Sequence, residues 1–95
     1  MKPFRWDAGK NELLKAARGI SFEDITVAVE AGRLIEVVAH PRAEKYPGQK
    51  VMVVECAGYA YLVPFVEAAD HYFLKTIIPS RKATRDFLAK GTDDV

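Results

Sequence analysis

The sequence predicts an α+β domain: two short N-terminal helices packed on a four-stranded, mainly antiparallel sheet, with one helix closing the chain. Three observations predict it. Helix start and stop signals crowd the first third of the chain. After Gly32 the hydrophobic period changes from about 3.6 to about 2. A serine with basic residues behind it then opens a last helical stretch at Ser80.

Taken in order, Phe4-Arg5-Trp6 reads as a brief edge strand, and Asp7 offers a helix N-cap. Lys10 to Arg18 reads as a helix with Leu13, Leu14 and Ala17 on one face, and Gly19 stands just past its end. Ser21 and Asp24 have the spacing of a capping box, and Ile20 and Ile25 that of a hydrophobic staple. Phe22, Ile25 and Val29 follow as a helical stripe, which Gly32 ends. Leu34 to Ala39 is strand-like. His40 to Gly48 is a polar loop punctuated by Pro41 and Pro47. Lys50 to Cys56 and Tyr59 to Val66 read as strands joined by a tight Ala57-Gly58 turn. Pro64 lacks an N–H and predicts a bulge or an edge where it falls. Tyr72 to Ile78 is the last predicted strand, Arg81 to Leu88 the last helix, and Gly91 to Val95 a frayed tail.

The totals bound the class. A chain of 95 residues with 49% hydrophobic and 28% charged side chains is one domain with a core of its own, residues 1–95, not a disordered segment. The longest apolar runs fall well short of the roughly 20 residues that span a bilayer, and the N-terminus lacks the apolar stretch of a secretory signal. A cytoplasmic location is expected. Cys56 is the sole cysteine and is expected to be a buried free thiol; nothing beside it supplies a base that would make it a nucleophile. His40, His71 and Cys56 lack metal-ligand spacing, so no metal and no cofactor is expected. Net charge is only +1, but it is unevenly spread: Lys75, Arg81, Lys82, Arg85 and Lys90 stand against Asp86 alone.

Three segments carry a family resemblance. Phe4, Trp6, Asp7 and Lys10, followed by Asn11, are similar to an F-x-W-D-x-x-K opening. Arg18-Gly19-Ile20-Ser21-Phe22-Glu23 resembles a [KR]-x-G-[IV]-S-F-E motif. Ile77-Ile78-Pro79-Ser80-Arg81-Lys82-Ala83-Thr84 resembles I-I-S-A-R-[KR]-A-T. In this order they resemble the BrnT toxins, members of the RelE-like group of bacterial ribonucleases. Pro79-Ser80 replaces the usual Ser-Ala, and His40 and Gln49 stand where acidic residues are usual. The resemblance implies a RelE-like fold. It implies the toxin of a type II toxin–antitoxin system, an endoribonuclease that inhibits translation. It also implies a small antitoxin, of ribbon-helix-helix type, encoded next door and bound in a toxin–antitoxin hetero-oligomer.

Cleavage of this kind has the ribose 2′-OH attack the adjacent phosphate. It needs a proton acceptor, cations for the crowded phosphorane and a proton donor for the leaving oxygen. Arg81 is expected as the main phosphate clamp at a helix start, with Lys82 and Arg85 beside it. His40 is expected as proton carrier, with Arg42 and Lys50 in support and Tyr46 as the loop aromatic. Trp6 and Lys10 are candidates for a stacking and phosphate pair, against the plainer reading of Trp6 as a core or lid residue. The rival functional reading is a non-catalytic RelE-like module that binds RNA or protein under the control of a small partner.

Overall fold

The computed structural model describes residues 2–88. The predicted Gly91–Val95 tail and the basic Lys90 lie outside them. The elements are β1 (Phe4–Trp6), α1 (Ala8–Arg18), α2 (Phe22–Glu30), β2 (Leu34–Ala39), β3 (Gln49–Cys56), β4 (Tyr59–Glu67), β5 (Tyr72–Leu74), β6 (Ile78–Pro79) and α3 (Arg81–Ala83), which runs on into a π-helical stretch, Thr84–Leu88.

Local chemistry sets both helix boundaries. The Asp7 carboxylate accepts from the Lys10 N–H at 2.8 Å and starts α1. Gly19 closes it at φ 67°, a left-handed conformation that costs glycine little. The Ser21 hydroxyl accepts from the Asp24 N–H and the Asp24 carboxylate accepts from the Ser21 N–H, so the capping box is complete. Ile20, Phe22, Ile25 and Val29 are buried as the stripe requires. On α1 the buried face differs from the expected one. Leu14 is buried with Asn11, one turn before it, while Leu13 is 67% exposed and Ala17 is exposed too.

The sheet has six strands rather than the expected four, and it is mixed. Its order is β1-β5-β4-β3-β2, with β6 also on β4. The β2-β3-β4-β5 run is antiparallel throughout, whereas β1 pairs parallel to β5, Trp6 opposite Leu74. The predicted last strand is broken in two. Glu67 to Phe65 pair with Tyr72 to Leu74, but Leu62 and Tyr61 pair with Ile78 and Pro79, one residue out of register with the first ladder. Pro64 sits at the break. Its carbonyl accepts from the Lys75 N–H at 2.8 Å, so the N–H it lacks would have pointed at the same neighbour, and the ladder bulges there.

The two faces have different cover. On one, α1 and α2 close over Met52, Val54, Val63, Phe65, Leu74 and Ile77. On the other, Ala83 and Leu88 of the terminal helix pack on Val53 and Ala60. Ser80 caps that helix, accepting from the Ala83 N–H at 3.0 Å. The Thr84 hydroxyl donates to the Ser80 carbonyl and accepts from the Ala60 N–H, which ties the helix start to β4.

The β3–β4 turn predicts a stabilising change. Ala57 and Gly58 both have positive φ, at 54° and 78°, as a two-residue turn of type I′ requires. Alanine is strained there by about 1 kcal/mol, and asparagine less so. Ala57→Asn is therefore expected to stabilise the domain by about 0.5–1 kcal/mol, read as a rise in the urea midpoint at unchanged slope. A lowered midpoint would refute the turn assignment.

Candidate functional site

The resembling segments, distant in sequence, meet in one knot between the helices and the sheet. The Trp6 ring stacks on Phe22 with centroids 5.5 Å apart. The buried Asn11 amide donates to Glu23 and accepts from the Phe22 N–H, both at 2.7 Å. The Arg18 guanidinium donates to the Ile77 carbonyl. Most of what the segments share is therefore scaffold. One face of Trp6 is committed to the core, and Lys10 is half-buried on α1. Asn11 and Glu23 were not expected as key residues, although Asn11 lies three before the buried Leu14, which is the helical signal for a shared face.

The His40 loop forms a cluster of its own. The Arg42 N–H donates to His40 Nδ1 at 3.0 Å, and the Tyr46 ring lies tilted against the imidazole at 4.8 Å. Nδ1 is thereby an acceptor, so a neutral His40 carries its hydrogen on Nε2 and can donate a hydrogen bond there. Lys45 stands over the Tyr46 ring. Lys50 is across the hairpin, opposite Ala39, and the His40 N–H reaches the Gln49 carbonyl at 3.4 Å. His40, Arg42, Tyr46 and Lys50 thus share one end of the sheet.

Arg81, Lys82 and Arg85 occupy the other end. Ser80 bonds Ala60 near the start of β4, whereas Gln49, the neighbour of His40, pairs with Val66 near its end. The length of β4 between them, about 20 Å at the usual strand rise, separates the two groups. His40 and Arg81, expected as proton carrier and clamp of one reaction, therefore lie at opposite ends of β4, because the last strand runs back along β4 before Ser80 is reached. Lys82 shares a groove with Glu36, Val38 and Phe87 on the terminal-helix face. Arg85 is paired locally with Asp86 at 3.7 Å.

Cys56 is half-buried rather than fully buried, and burial pushes its thiol up, which disfavours the thiolate. Three exposed carboxyls are held below the ordinary range. The Asn11 amide does this for Glu23, the Lys2 ammonium for Glu67, and the His71 ring for Asp70. A depressed folded-state value adds stability above the unfolded-state value of 4.5 for Glu, and that stability is lost as pH falls through the folded-state value. Tm should therefore drop between about pH 5 and about pH 3, and the drop should be smaller in Lys2→Ala, where Glu67 loses its partner. Calorimetry across that range checks it, and equal drops in both proteins would contradict it.

Searches against family models, curated proteins and solved structures give no match. Among the described residues no helix is long and apolar enough to cross a membrane, and no group of three or more His, Cys, Asp or Glu is arranged to hold a metal.

Proposed function

We propose that the chain is a BrnT-like, RNA-directed toxin of a bacterial toxin–antitoxin pair. On this reading it cleaves RNA at the His40 end of the sheet and meets its antitoxin at the basic start of α3. The observation that carries the reading is the knot. The three resembling segments are linked by Trp6 on Phe22, Asn11 with Glu23, and Arg18 with Ile77, as parts of one inherited scaffold would be. The separation of the two basic groups supports a division of labour. Of these two groups, the loop end is the one that combines a hydrogen-bond-donating imidazole, a phenol and cations. In the proposed reaction the 2′-oxygen bonds to phosphorus as the P–O5′ bond breaks; the 2′-OH proton passes to solvent water and the departing 5′-oxygen takes a proton from water. Arg42 and Lys50 face the phosphorane charge, and the His40 Nε2–H hydrogen-bonds the departing 5′-oxygen.

The test is incubation of the purified chain with single-stranded RNA, with and without EDTA. Fragments ending in a 2′,3′-cyclic phosphate, formed equally in both, are expected. Intact RNA, or cleavage lost with EDTA, would overturn the reading. The distance between His40 and Arg81 favours a second reading, the non-catalytic binding module, since proton carrier and clamp would not meet on one phosphate. Salt-sensitive retention of uncut RNA would select it.

A further inference from the structure

The helix pair leaves part of its own sheet face uncovered. At the Lys50 end a cavity of about 170 Å³ remains between β1 and β2. Met52 and Phe65, both buried, lie at its base. Phe4 and Tyr72 meet edge to face at 5.9 Å on the β1 side, and Val37 closes the β2 side. Lys50 and Glu67 supply its charged groups. Outside it, the Lys2 ammonium reaches Glu67 at 2.6 Å and stands over the Tyr72 ring, so two cations flank one carboxylate. Ligand clefts for drug-sized molecules run to about 300–1,000 Å³, so this one suits a single flat ring system.

We propose that this cavity receives one nucleobase of a single-stranded RNA. The ring lies among Phe4, Tyr72 and Val37, the Glu67 carboxylate accepts from an exocyclic amino group, and Lys50 carries the adjoining phosphate. The inference rests on the RNA reading above and adds to it a base-recognition site. Three features of a nucleotide find three counterparts here. The flat apolar ring matches the aromatic and aliphatic walls, the polar edge matches the carboxylate, and the phosphate matches a lysine that begins beside the His40 loop. An apolar side chain from a protein partner would use the walls and make no use of Lys50. Unstacked single strands can offer such a base; a duplex cannot without flipping it out.

The test is titration of the full ¹⁵N-labelled chain with each of the four ribonucleoside monophosphates, followed by NMR. Saturable shifts at Phe4, Val37, Met52 and Tyr72 are expected, strongest for a base with an amino group and with Kd on the order of a millimolar. Val37→Trp, at a half-exposed edge position, should fill the cavity and remove them. Lys50→Ala should weaken binding roughly tenfold, the scale of one lost charge contact. Ribose 5-phosphate binding as well as the nucleotides would overturn the proposal. So would shifts confined to α3, Val37→Trp binding like the wild type, or cavity shifts produced by an antitoxin peptide but by no nucleotide. Monophosphates have no bond to cut, so the two readings fail separately. Nucleotide binding without RNA cleavage leaves the base site and removes the ribonuclease. RNA cleavage undiminished in Val37→Trp does the reverse.

Discussion

Asn11→Ala is expected to be among the most destabilising single changes outside the apolar core. The amide is 4% exposed and does two jobs, accepting from the Phe22 N–H and donating to the Glu23 carboxylate, each at 2.7 Å. Phe22 is the first residue of α2 and fully buried, so its N–H has neither an intrahelical partner nor an obvious route to water. Truncation would strand that donor, release Glu23 and leave a gap between α1 and α2. A stranded buried donor alone costs about 1–3 kcal/mol, so a total loss of about 2–4 kcal/mol is expected. In a domain of this size that is a fall in Tm of roughly 10–25 °C. Glu23→Gln keeps an acceptor for the amide on an exposed side chain and should cost well under half as much. Thermal unfolding of the two variants side by side checks the argument, and equal losses would mean that Asn11 acts only by filling space.

What the sequence made legible was local. Ser21 and Asp24 announce α2 because a capping box is completed within four residues. The β3–β4 hairpin is readable because period-2 runs flank Ala57-Gly58, and Pro64 announces the bulge because a missing N–H is a property of one residue. What stayed hidden depends on pairings across long stretches of chain. The parallel pairing of β1 with β5 links Trp6 to Leu74, and no pattern in either three-residue strand specifies the other. Asn11 looks like a surface residue of a first helical turn until α2 folds over it. At the candidate site, the grouping of His40, Arg42 and Tyr46 was legible because one short loop holds them. The ends of the sheet on which His40 and Arg81 fall were not, because the register of β6 on β4 decides it. The cavity is illegible in the sequence for the same reason: Phe4, Val37, Lys50 and Tyr72 come from four different strands.

Substitutions at the two ends of β4 should separate two activities. His40→Ala removes the ring that the Arg42 N–H and Tyr46 hold in place. Loss of a hydrogen-bond donor aimed at developing charge typically costs about 10²–10³-fold, so RNA cleavage should fall by at least about 10²-fold while antitoxin binding stays within about twofold. Arg81→Glu should do the opposite. It reverses a charge beside the terminal helix, about 20 Å along β4 from the loop. It should slow association with an acidic partner and weaken it at low salt, with a smaller effect at high salt where charges are screened. Neither change should lower Tm by more than a few degrees, since Arg81 is exposed and His40 lies in a loop at the sheet's end. In the double variant the free-energy effects on cleavage should add, because sites this far apart without shared partners rarely couple. If Arg81→Glu alone abolishes cleavage as fully as His40→Ala, or the pair proves strongly non-additive, both groups act on one phosphate. The division of the surface into an RNA end and a partner end is then wrong.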